Sequence, residues 1–184
     1  MIKKLSDAWR EAWTDRRLRL QIVATPFYLI LTLRLLAAFL IWVEERPGAQ
    51  LSDPLLESIV ARDGSLVIFA IIYLSLVSGL AVLASNPRAL VIGVQAYVVM
   101  ILSRICVMYF TALDPPANMV PLRDPVIEWI GTGRVLTRDL FFSGHTATIF
   151  LLCVAVPGRR FKLVFLACTI AVAIGVIRQH AHYT

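Results

Sequence analysis

Residues 140–177 read LFFSGHTATIFLLCVAVPGRRFKLVFLACTIAVAIGVI, two apolar runs around Pro157-Gly158-Arg159-Arg160. The runs are Leu140–Val156 and Phe161–Ile177, and Lys162 is the one Lys, Arg, Asp or Glu within them. Each is near the lower limit of roughly 17 residues for a perpendicular membrane helix. Inside lipid the backbone must satisfy its own hydrogen bonds, so such runs read as helices. A Pro-Gly turn flanked by arginines between them reads as the water-exposed tip of a helical hairpin.

Three more stretches of this kind precede the hairpin: Ile22–Val43, Ser65–Ala84 and Leu90–Phe110. The chain is 59% hydrophobic and 16% charged, with mean hydropathy +0.77. That excludes an ordinary soluble domain and fits a polytopic membrane protein. The expected fold is therefore an all-α transmembrane bundle with five spans. A basic N-terminal segment occupies residues 1–21, and one membrane domain occupies residues 22–184.

Charge sets the expected orientation. With the N-terminus in the cytoplasm, the inside segments carry ten basic and three acidic residues. The outside segments carry six arginines and nine acids, and Arg34 and Arg104 lie within spans. This agrees with the positive-inside rule. The net charge of +6 therefore belongs to the membrane flanks and implies no nucleic acid. Cys106, Cys153 and Cys168 lack metal-ligand spacing and read as small buried hydrophobes. No secretory leader is read at the N-terminus. There, Leu5, Trp9, Ala12, Trp13 and Leu20 form an apolar stripe beside Arg10, Arg16, Arg17 and Arg19. That pattern reads either as an interfacial helix on anionic lipid or as a topology signal alone. Asp53-Pro54 followed by Glu57 predicts a short capped helix in the first outer loop. The second outer loop, residues 111–139, is long and Pro-rich.

In this topology both His145 and His182 face outward, from opposite ends of the hairpin. Phosphoryl transfer through a covalent histidine needs a nucleophilic imidazole, an orienting partner, a proton donor to the leaving alkoxide, and positive charge or N–H groups for the phosphate. The two histidines can supply nucleophile and acid. Ser143, Gly144 and Thr146 lie in the first turn of the fourth span, where free N–H groups attract an anion, and Asp139 can cap that helix. Gly144 would let a phosphate approach the backbone. Arg104, about two turns below the outer end of span three, is either a phosphate or head-group contact, or else a snorkelling side chain or half of a structural ion pair. Arg178 is one turn before His182, on its face if the helix continues, and there reads as a phosphate neutraliser. Arg34 reads as structurally paired. Tyr109 and Trp129 read as interfacial anchors or substrate contacts. His180 stands some 200° round the helix from His182 and reads as a boundary residue.

These residues resemble a known family. Asp139-Leu140-Phe141-Phe142-Ser143-Gly144-His145-Thr146 is similar to the third signature motif of the sphingomyelin synthases, a branch of the lipid phosphate phosphatase superfamily. His182-Tyr183-Thr184 is similar to the start of the fourth, His-Tyr-Thr-x-Asp. Residues 104–113 with Pro115-Pro116 are similar to the second. The resemblance runs from about Leu90 to Thr184. It implies six helices in a full-length protein and transfer of a phospho-head-group from a glycerophospholipid to a ceramide-like or diacylglycerol-like alcohol. It implies His182 as nucleophile, His145 as acid–base partner, and no metal or cofactor.

The motif's aspartate would fall at position 186, beyond Thr184, so the chain reads as a C-terminally incomplete piece. Asp139, Asp114 and Glu128 are the outer carboxylates that could stand in. The Lys-x6-Arg-Pro motif of the phosphatidate phosphatases does not occur. A lipid phosphate phosphatase, with water as acceptor, and an inactive binding or scaffold protein remain as alternatives. The expected location is a bacterial inner membrane with the site facing the periplasm, with a Golgi or plasma membrane second.

Overall fold

The structure, a computed structural model, describes residues 2–124 and 136–184. Seven helices occur among the described residues: α1 (Ile2–Thr14), α2 (Arg16–Glu45), α3 (Pro54–Ser58), α4 (Ser65–Ala84), α5 (Pro87–Phe110), α6 (Gly144–Ala155) and α7 (Arg159–Arg178). Four of them, α2, α4, α5 and α7, are long and apolar enough to cross a membrane. Their outer surfaces agree: Leu66 is 82% exposed, Phe110 78% and Leu74 72%. A soluble protein seldom leaves so much apolar surface uncovered, whereas a bilayer solvates it. The chain is a multi-pass helical membrane protein.

Local chemistry sets the ends of these helices. Asp15 caps α2, accepting from the Arg17 and Leu18 amides at 2.9 and 3.3 Å. Asp53 caps α3 through the Leu55 and Leu56 amides, with Pro54 in the first turn as expected. Such caps contribute about 1 kcal/mol each. Asn86 with Pro87 starts α5. Thr25, beside the intrahelical Pro26 of α2, accepts from Gln95 Nε2 on α5 at 3.1 Å.

The fourth stretch differs from expectation. Its helix is Gly144–Ala155, 12 residues, or about 18 Å, against a hydrocarbon core of roughly 30 Å. Ser143 is the N-cap, and Leu140, Phe141 and Phe142 lie outside the helix. At the other end Val156 is extended before Pro157, as the proline ring requires, and Gly158 takes φ +90°.

The core lies among α4, α6 and α7. Ile68, Phe69, Ile72, Ile149, Leu152 and Val172 are its buried centre. α2 packs on α5 and α1, while α4 packs on α5, α6 and α7. No extensive seam joins α2 to α4.

Two sequence expectations are corrected here. Cys106 is exposed on α5, while Cys153 is buried, so the three cysteines are not uniformly interior. Arg34 is exposed on α2 and makes no ion pair among the described residues. It lies on the side opposite buried Thr25, Thr32 and Val43, as the 100° helical increment dictates. Glu128 and Trp129 lie outside the described residues.

Candidate functional site

The tail after α7 carries His182, and its path is fixed by the way that helix ends. His180 adopts φ +53°. The His180 amide donates to Ile177 and the Ala181 amide to Val176, each at 2.9 Å. This is a Schellman closure with histidine in the left-handed position that glycine usually takes. The helix therefore does not continue to His182. Arg178 consequently does not share a face with His182; it is exposed, and its carbonyl accepts from the Arg62 amide at 3.1 Å.

Gln179, fully buried, anchors the turn. Its Nε2 donates to Ser65 Oγ at 2.8 Å and to the Pro121 carbonyl at 3.2 Å, and its Oε1 accepts from the Gly64 amide at 3.2 Å. Beyond it, Thr184 donates both its amide and its hydroxyl to Asp53 at 2.8 Å. The Thr184 amide bond, foremost among these contacts, holds the Asp53 carboxyl below its usual range. Tyr183 donates its hydroxyl to the Asp114 carbonyl at 2.8 Å. His182 thus sits in a segment pinned on both sides.

Within that segment His182 is buried, with Nδ1 2.9 Å from the Leu140 carbonyl. A carbonyl only accepts, so Nδ1 carries the proton and Nε2 keeps the lone pair. Burial pushes the His182 pKa below its ordinary value; the Leu140 carbonyl and the Asp139 carboxylate pull the other way and are outweighed. Burial thus favours the neutral imidazole, with Nε2 unprotonated.

His145 is the second residue of α6, and its ring meets Phe69 edge-on at 5.4 Å between centroids. Both histidines line one cavity of about 420 Å³, together with Arg104, Asp139, Gly144 and Asp124. Arg104 is 5% exposed, donates Nε to the Phe142 carbonyl at 2.9 Å, and ion-pairs with Asp139. A Cβ on Gly144 would stand 3.0 Å from both Cζ and Nη1 of Arg104. Glycine is therefore what lets the guanidinium lie against the start of α6. Burial pushes the Asp139 carboxyl up, but Arg104, by charge and hydrogen bond, and the two histidines together hold it below its usual range.

Asp139 is not the cap of α6, because Ser143 takes that place. Ser143 Oγ accepts from the Thr146 amide at 3.4 Å and from its hydroxyl at 3.1 Å. Ser143 and Thr146 thus bond to each other and do not line the cavity. Tyr109 also lies outside it, 57% exposed and stacked on Trp42 at 5.9 Å. Asp114 is engaged by Arg138 at 2.8 Å and the Gly48 amide at 3.2 Å, so it holds loops together. His180, as expected, stands apart from His182, lining a separate cavity beside Asp53 and Tyr183.

Sequence reading missed several contributors. Tyr73 of α4 donates to Asp124, and both line the cavity. A tyrosine hydroxyl within an apolar span was the available signal. Glu44, at the end of α2, accepts from the Thr137 and Arg138 amides at 3.0 Å. It thereby holds the strap that delivers Asp139. The rest of the cavity wall is apolar except for Tyr97 and Thr148. Leu33, Leu36 and Leu40 of α2 face Phe69, Ile72 and Leu76 of α4, across the two helices that share no extensive seam.

Comparison with protein-family models, curated proteins and solved structures finds no match to this chain.

Proposed function

We propose that this protein is a lipid phosphotransferase that resembles the sphingomyelin synthases. It would move a phospho-head-group from a glycerophospholipid to a lipid alcohol through a phosphohistidine. The observation that carries this reading is the single cavity lined by His145, His182 and a buried Arg104, with an apolar wall between α2 and α4. A polar end with two imidazoles and a guanidinium suits a phosphodiester. An apolar wall between loosely joined helices suits acyl chains arriving sideways from the bilayer.

In the proposed first step His182 Nε2 attacks phosphorus. The P–N bond forms as the P–O bond to diacylglycerol breaks, and protonated His145 gives its proton to the leaving oxygen. In the second step the acceptor hydroxyl gives its proton to His145 as its oxygen attacks phosphorus and the P–N bond breaks. Arg104 and the first amides of α6 meet the charge on the non-bridging oxygens. Asp139 stabilises each imidazolium, and the Leu140 carbonyl holds the reactive tautomer. The apolar wall favours an alcohol over water as acceptor.

The test is a thin-layer assay on membranes containing the protein, with labelled ceramide and diacylglycerol and a mixed phospholipid pool. A new phospho-lipid that disappears in His145→Ala and in His182→Ala supports transfer. Release of free phosphate or phospho-alcohol alone would move the reading to the phosphatase. Turnover retained in either histidine variant would sink the mechanism.

A further inference from the structure

α1 is held to the bundle by only half of its apolar stripe. Trp9 donates its indole N–H to the Ala84 carbonyl at 2.9 Å, and Ala12 is buried. Leu5 and Trp13, on the same stripe, remain 38% and 46% exposed. Leu20, in the first turns of α2, is 60% exposed and continues into exposed Val23 and Phe27 along the lipid-facing side of that helix. Exposed Arg10, Arg16, Arg17 and Arg19 flank this strip. Of the three nearby acids, Asp15 is already used, capping α2 and pairing with Arg88 at 3.4 Å. Exposed Arg159 and Arg160 begin α7.

This collar lies far from the histidines. α4 starts at Ser65, beside Gln179, and ends at Ala84, beside Trp9. Twenty helical residues separate the two ends by about 30 Å.

We propose that α1 and the first turns of α2 form a binding surface for anionic phospholipid in the leaflet opposite the candidate site. The partner must offer hydrocarbon and anionic charge side by side. Trp13, Leu5 and Leu20 need an apolar medium continuous with the belt around α2, while the arginines need phosphate oxygens within reach. A nucleic acid or acidic peptide offers the charge without the hydrocarbon. Each engaged basic residue enriches anionic lipid roughly fivefold at the surface. The inference does not depend on the phosphotransferase reading.

The experiment uses the whole protein in nanodiscs of phosphatidylcholine. Brominated phosphatidylglycerol, or brominated phosphatidylcholine at the same mole fraction, serves as the probe. Bromine quenches indole on contact, and the difference between wild type and Trp13→Phe isolates the Trp13 signal. The expected result is stronger Trp13 quenching by the brominated phosphatidylglycerol. The excess should fall away in Arg10→Gln/Arg16→Gln/Arg17→Gln. It should also shrink in wild type as salt is raised and screening shortens, which needs no substitution. Equal quenching by the two lipids, or none of Trp13 by either, would overturn the proposal.

Discussion

Replacing Arg104 with methionine would strand Asp139. The pair is well shielded, with side chains 7% and 19% exposed. Removing one member of such a pair costs about 3–5 kcal/mol. The cost should depend on pH with a sign opposite to that of wild type. In wild type the Asp139 pKa is lowered, so the pair stabilises the fold above the ordinary value of 3.8, and that contribution is lost as pH falls. Without Arg104, burial is the leading influence left and the folded pKa rises. The variant then has no extra cost below 3.8. The cost grows by about 1.4 kcal/mol per unit as pH climbs toward the new folded value. The assay is reversible unfolding in mixed micelles, followed by circular dichroism from pH 4 to pH 8. Arg104→Met/Asp139→Leu should recover most of the lost stability, since an apolar pair of similar volume replaces a buried ion pair at little cost. It should recover no head-group transfer. If Arg104→Met costs less than about 1 kcal/mol at pH 8, or if the double variant is no more stable than the single, the ion pair does not organise this end of the cavity.

Other consequences are as direct. Gly144→Ala places a methyl against the guanidinium and should cost about 1–3 kcal/mol by overpacking; the shift in Arg104 should lower transfer by up to about 100-fold, and unchanged activity would show that Arg104 need not lie where it does. Arg34→Leu removes a mid-helix guanidinium that has no ion pair among the described residues and should leave stability unchanged or raise it by up to about 3 kcal/mol, so a marked loss in a micelle melt would reveal a partner for Arg34. The depressed pKa of His182 keeps its neutral form below 6.5, so the acid limb of kcat/KM should lie below that pH; an acid limb at or above 6.5 would contradict a buried neutral nucleophile.

Apolar run length located the four long helices, because lipid demands both continuous hydrophobicity and internal hydrogen bonding. The same signal failed at Leu140–Phe142, which are as apolar as any span residue. There the structure is set by Ser143 as a cap, a contact made three residues along the chain, and by Arg104 drawing the Phe142 carbonyl to itself from 38 residues away, which local sequence does not report. His145 and His182, which line one cavity, drew notice in the sequence through their neighbours, Ser143-Gly144 before His145 and Tyr183-Thr184 after His182. Arg178 misled because its spacing to His182 assumes a continuous helix, and a histidine in the left-handed conformation ends it first. Tyr73 pairs with Asp124 across 51 residues of chain, and Glu44 holds Arg138 across 94. No periodicity reports such pairings.

The shortness of α6 has a consequence for the membrane itself. An apolar stretch of about 18 Å falls well short of the thickness that its neighbours span. Bilayers respond to such a mismatch by thinning locally, and here polar residues Thr137, Arg138 and Asp139 precede the helix by only a few residues of chain. Lipid head groups beside α6 would therefore ride deeper than elsewhere around the protein. Under the proposed function, a substrate phosphate would then have less hydrocarbon to cross before it meets Arg104, and the acyl chains would be lowered by the same amount without leaving the bilayer.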